Sequence, residues 1–204
     1  MGSLLAMTAR KNHYVSQCYL KGFAKPRKKK HQVFVVDAQG RKSFYSPTDG
    51  VAAERDFNRV EIVGYAPDAI ENDLSKFESE LAEALQRIIA ARSIADENDR
   101  IFLLSLVCLL TVRNPRLREA MRNYQEQGIQ QVMNLTLATQ ERRKSHVRQA
   151  TKAGYISEGS DTDYEKMKKF VAEGQYRIDV PTTRHVMQEL ESADKILPYL
   201  VERK

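Results

Sequence analysis

Apolar residues recur at spacings of four and three along most of the chain after residue 66. Ile70, Leu74, Phe77, Leu81, Ala84 and Ile88 fall on one face of a helix that starts after Pro67. Asp68 and Glu71 stand three apart at its start, the spacing of a capping box. The run IFLLSLVCLLTV, residues 101–112, is apolar nearly all round and predicts the central, most buried helix, ended or kinked by Pro115. Leu117, Met121, Tyr124, Gly128, Val132 and Leu135 keep the four-and-three spacing. They predict one long helix over 116–152, with Gly128 allowing a bend or a close approach. DYEKMKKFVAEG predicts a short polar helix with Gly174 just past its end, and YRIDV an extended piece. A last helix follows Pro181, capped by Thr182 or Thr183 and kinked or shortened by Pro198.

The first 65 residues read differently. Residues 13–23 predict a short helix, with Val15, Tyr19, Leu20 and Phe23 on one side and Gly22 near its end. KPRKKKH, residues 25–31, predicts a basic loop. Val33–Val36 and Ser43–Ser46 predict two strands joined across DAQGRK as a β-hairpin. RVEIVG, residues 59–64, alternates apolar with charged and is a candidate third strand. The fold class is therefore mainly α (α+β): a helical bundle with a small N-terminal hairpin or three-stranded sheet. We expect one domain over 8–204, with 8–65 as motif helix plus hairpin, 66–204 as the bundle and 1–7 disordered.

Composition narrows the class. The chain has 204 residues, 42% hydrophobic and 29% charged, enough to bury a core without disulfides or metal. It has no Trp, so that core should be mostly aliphatic. Cys18 and Cys108 form neither a disulfide framework nor a Cys-x-x-Cys site, and read as free thiols. MGSLLAM is too short for a secretory signal, and the 12-residue apolar run is too short to span a bilayer. A cytoplasmic protein with no membrane partner is the expectation. The net charge of +6 leans toward an anionic partner such as nucleic acid or phosphate. No motif announces a cofactor.

NHYVSQCYLKGFA, residues 12–24, resembles the start of a mostly bacterial family catalogued as domain of unknown function 4238. That family's hallmark is His-Tyr-Val-Pro-Gln followed by Leu and Phe. His13, Tyr14, Val15, Gln17, Tyr19, Leu20 and Phe23 match, with Ser16 where the family has Pro. The hairpin around VFVVDAQGRK, the stretch VAAERDF and the turn Arg113-Asn114-Pro115 agree in order. The resemblance covers roughly residues 10–120 and continues more weakly to the end. It implies further C-terminal strands with a Thr-Ser-Asp-Asn-Pro element. The chain ends at Lys204 without them, so a shortened member or a fragment is expected. The resemblance carries no established reaction.

Three functional readings follow. In an enzyme, or the N-terminal part of one, acting on nucleic acid or another phosphate substrate, His13, Gln17, Glu54 and Arg113 would form the pocket. His13 would be the general base, Gln17 would share its helical face, Glu54 and Asp56 would point one way from a strand, and Arg113 with Arg116 and Arg118 would hold a phosphate. Cys18 is a weaker nucleophile candidate. In a non-catalytic binding module, Lys25, Arg27, Lys28, Lys29 and Lys30, with Tyr and Phe nearby, and Arg142, Arg143 and Lys144 would contact nucleic acid. In a protein-interaction domain, an exposed apolar patch on the last helices would meet a protein partner or the missing C-terminal segment. Metal ligation lacks the spacing it needs, with the four histidines scattered at 13, 31, 146 and 185.

Overall fold

The structure, a computed structural model, describes residues 11–27, 30–157, 159, 163–174 and 176–203. The N-terminal segment expected to be disordered, Lys28 and Lys29, and the side chains of Arg27 and Lys30 lie outside the described residues. The chain divides into two compact units, residues 1–118 with 181–204 and residues 119–180.

The first unit opens with strand β1 (Lys11–His13), helix α1 (Gln17–Lys21) and strands β2 (Lys25–Arg27), β3 (Lys30–Asp37), β4 (Lys42–Pro47) and β5 (Ala53–Arg55). β1 pairs antiparallel with β5, and β2-β3-β4 form a separate antiparallel sheet. The hairpin expected from Val33–Val36 and Ser43–Ser46 is present, with Phe34 opposite Tyr45. At its turn, the Asp37 carboxylate accepts from Gly40 N at 2.9 Å. That bond, and then Lys42, hold the Asp37 carboxyl below its usual range.

Several local expectations need correction. The helix expected over 13–23 spans only Gln17–Lys21, because Lys11–His13 pair with Ala53–Arg55 and Tyr14 N donates to Ala52 O at 2.9 Å. KPRKKKH is not simply a loop, since its ends belong to β2 and β3. RVEIVG forms no strand. Val60 N donates to Pro67 O and Glu61 N to Thr183 Oγ1 at 2.7 Å, so the segment is tied down by single bonds instead of a ladder. Asp56 does not continue β5; its φ of 56° turns it away from the alternation with Glu54.

Helices α2 (Ala69–Ala91), α3 (Glu97–Val112) and α7 (Thr182–Val201) complete the first unit, with α3 packed against both others. The apolar run that reads as a central helix is central. Cys108 and Val112 of α3 meet Ala193 of α7, with Leu109, Ile196, Leu197 and Leu200 around them. Leu81 and Ala84 of α2 are fully buried. The Asp96 side chain caps α3 by accepting from Asp99 N. Asp99 itself is buried and takes two arms of Arg87 from α2, the closer at 2.7 Å. Asp68 makes no capping bond, and Thr183 is spent on Glu61 instead of capping α7, whose N-cap is Pro181.

Helix α4 (Pro115–Thr136) runs from the first unit into the second, where α5 (Gln140–Lys152) and α6 (Tyr164–Glu173) follow. The single helix expected over 116–152 is broken at 137–139. Thr139 accepts from Arg142 N and starts α5 as an N-cap. The buried Leu137 receives the Tyr164 hydroxyl on its carbonyl at 2.9 Å. α6 ends as expected at Gly174, whose φ of 64° is the left-handed stop that glycine tolerates. YRIDV forms no described strand.

Candidate functional site

His13 closes β1 and Gln17 opens α1, so strand and helix, not one helical face, bring them together. Gln17 Nε2 stands 3.4 Å from His13 Nδ1. The His13 Nε2 is buried and meets no hydrogen-bond partner among the described residues. Arg113, the C-cap of α3, reaches the same place from the other side. Its Nη2 donates to the His13 carbonyl at 2.8 Å and to Asn58 Oδ1 at 3.0 Å.

Asn58 is the hub of this centre. Its backbone N donates to Asn12 Oδ1 at 3.2 Å, and its side-chain amide donates to Glu71 Oε2 at 2.5 Å. Arg118 extends the centre through Nη1, which donates to the Phe57 carbonyl at 2.7 Å. Its guanidinium carbon lies 3.5 Å over the Phe57 ring, and Nε and Nη2 make a two-armed pair with Glu189 of α7. Tyr14 packs on the other side of Phe57 at 5.6 Å between centroids. Burial lowers the Arg113 guanidinium from its ordinary value, against the opposing pull of Glu189, Glu71 and Glu78.

Chemically, the two arginines of this centre are satisfied by the protein itself, while the buried His13 Nε2 meets no partner among the described residues. Arg113 directs Nη2 at two protein acceptors and Arg118 is held by a carboxylate, a carbonyl and a ring. Arg116, the third arginine of that turn, is exposed, so the three do not converge on one anion. Glu54 sits opposite Asn12, while His13 sits opposite Ala53. Opposed residues of a ladder share a face and neighbours alternate, so Glu54 and the His13 ring lie on opposite faces. Glu54 acts instead on Tyr14, whose phenol is raised first by burial and then by that carboxylate. Burial, then Glu78, raises the Cys18 thiol, which disfavours the thiolate a nucleophile needs. Among the described residues no group of three or more His, Cys, Asp or Glu is placed to hold a metal ion.

The cationic candidates fall in both units. Lys25 is exposed at the start of β2. On α5, Arg142 and Lys144 are exposed but Arg143 is buried, so the three do not form one solvated face. Arg143, Lys144 and Arg148 line a groove of about 540 Å³ whose far wall is Asp163, Tyr164 and Glu165 of α6. Asp163 already accepts from Glu165 N and Lys166 N, so the start of α6 is not left open to an anion.

Sequence reasoning missed a further feature on the three-stranded sheet. Phe34 and Tyr45 face each other across β3 and β4, with ring centroids 5.1 Å apart and planes at 56°. They are 57% and 47% exposed, and Val36 beside them is 69% exposed. Lys25, opposite Gln32, belongs to the same face by alternation. The run Val33-Phe34-Val35-Val36 is apolar throughout, so nothing in it marked which of them would face solvent. Val33 is buried and Phe34 is not.

Fold and site together define a mainly helical protein carrying two small antiparallel sheets, with a buried arginine–asparagine centre joining strand, loop and helices. The family model described as protein of unknown function (DUF4238) matches residues 11–204, and the chain belongs to that family. The match runs well past the residue 120 to which the motif resemblance mainly reached. Comparison with curated proteins and with solved structures gave no match. No helix among the described residues is long and apolar enough to cross a membrane.

Proposed function

We propose that this protein is a non-catalytic nucleic-acid-binding protein whose binding surface is the outer face of the β2-β3-β4 sheet, and that it takes single strands. The observation that carries this reading is the solvent-exposed Phe34–Tyr45 ring pair on a sheet face that also carries Lys25. Aromatic rings left exposed on a sheet offer stacking platforms to unpaired bases, whose faces are hidden in a duplex. The lysine-rich KPRKKKH segment, which contributes to both β2 and β3, supplies cations for the phosphate backbone, and the +6 net charge favours encounter with a polyanion. Exposed Arg142 and Lys144 on α5, in the second unit, supply further cations. The His13 centre has a structural role in this reading, since Arg113 joins β1 to α3 through the His13 carbonyl and Asn58.

The test is equilibrium binding of labelled single-stranded and duplex DNA and RNA across a salt series. Wild type is expected to prefer single strands. Phe34→Ala or Tyr45→Ala is expected to weaken that binding by about 1–3 kcal/mol per base unstacked. Lys25→Ala is expected to reduce the salt slope by about 0.7 for each phosphate left without its cation. Arg142→Ala/Lys144→Ala should flatten the slope without altering the preference for single strands. His13→Gln should leave binding unchanged. Equal affinity for duplex, or wild-type affinity in Phe34→Ala, rules out the sheet-face reading.

A further inference from the structure

Helix α4 presents a row of primary amides that the rest of the chain does not use. Asn123, Gln127, Gln130 and Asn134 follow one another at four, three and four residues, so they share one face, with Gln131 beside them. None of the five side chains makes a hydrogen bond among the described residues. The row forms one wall of a groove of about 670 Å³, a volume typical of ligand sites. The facing wall is the segment 176–178, and both walls belong to the second unit.

The charges lining this groove cancel. Arg122 donates to Glu119 at 2.8 Å, and Glu126 and Arg177 supply one charge of each sign. A polyanion finds no net attraction there, unlike at the lysine-rich segment of the sheet. A primary amide both donates and accepts, which suits a ligand whose groups do the same, as hydroxyls do. One helical turn advances about 5.4 Å, near the length of one ring in an extended sugar chain, so successive amides would meet successive rings. Across the groove, Ile178 and the Tyr176 ring offer apolar surface to the C–H face of a sugar. Tyr176 is seated against Phe170 at 5.6 Å between centroids, and its hydroxyl is buried with no hydrogen-bond partner among the described residues. A peptide fits less well. Residues 176–178 form no strand to which one could add, and Tyr176 and Ile178 are too few apolar contacts to seat its side chains.

We propose that this groove binds an uncharged oligosaccharide, with the α4 amides along its hydroxyl edge and Tyr176 with Ile178 against a ring face. The site is separate from the sheet face and does not rest on nucleic-acid binding.

Isothermal titration calorimetry of the full chain with cellohexaose, maltohexaose and chitohexaose tests it. At least one of these neutral chains is expected to bind. Asn123→Ala/Gln127→Ala is expected to weaken that binding about tenfold, the effect of two lost hydrogen bonds. Helical circular dichroism should be unchanged, because both side chains are exposed and alanine favours a helix. Tyr176→Phe is expected to weaken binding about threefold, through the hydroxyl alone. Failure of all three sugars to bind overturns the proposal, as does wild-type affinity in either variant. So does displacement of the sugar by a single-stranded oligonucleotide, which would assign the groove to nucleic acid.

Discussion

Arg118 and Glu189 stand 71 residues apart in sequence and meet through two charge-assisted hydrogen bonds with both side chains nearly closed to solvent. Neither residue announces the other. Arg118 sits in an arginine-rich turn that reads equally well as a phosphate grip, and Glu189 on a helix with other acids. What decides the role is desolvation: a buried guanidinium must find a carboxylate or move. Removing one partner strands the other, so Glu189→Ala is expected to cost about 3 kcal/mol in urea unfolding. The buried Arg113 follows the same logic with neutral acceptors, the His13 carbonyl and Asn58. Of the four residues grouped by sequence reasoning, His13, Gln17 and Arg113 do converge, while Glu54 is turned to the other face. The hub residue, Asn58, carried no sequence signal at all. An asparagine in a loop acquires its role only when three segments close around it.

At the scale of elements, the periodic signals were the legible ones. The apolar spacing of α2 and α3, the β3–β4 hairpin and the Gly174 stop follow from local periodicity and turn chemistry, which act within a few residues, whereas the capping box read at Asp68 does not form. The break between α4 and α5 was also written locally, in Thr139 with Glu141 in the next turn, but the apolar spacing through 135 masked it. The end of α2 departs from the usual rule. Arg92 occupies the left-handed C-cap with φ of 50°, a conformation that is strained for a side-chain-bearing residue. Arg92→Gly is expected to stabilise the protein by about 1 kcal/mol and to raise Tm by about 2–4 °C in a thermal scan. The short strands β1 and β5 were illegible because three-residue strands are fixed by their partner across the ladder, not by their own composition.

For the whole molecule, the titrating groups of the first unit predict how stability depends on pH. Tyr14, Cys18 and Cys108 are each raised, with burial the largest cause. The folded chain thus keeps protons that the unfolded chain releases at its ordinary values of 9.0 for the thiols and 10.0 for the phenol. The contribution of these groups is fully present below pH 9.0 and is lost as pH rises toward their raised folded values. Urea midpoints are expected to hold steady up to that pH and then fall. Replacing both cysteines with Ser and Ala should remove the first part of the fall. An unchanged midpoint well above pH 10.0 would contradict this account.

Fold class, main helices, hairpin and family are all written in the order of residues alone, because they rest on short-range periodicity and on a contiguous motif. Which arginines are buried, and what satisfies them, was settled by packing in three dimensions. So were the end of a strand at His13, the turning of Glu54 away from the His13 ring, and the exposure of Phe34 on the sheet. Periodicity says that an apolar face can be covered, but not by what. The identity of the cover, like the partner of a buried charge, is set by segments far apart in sequence.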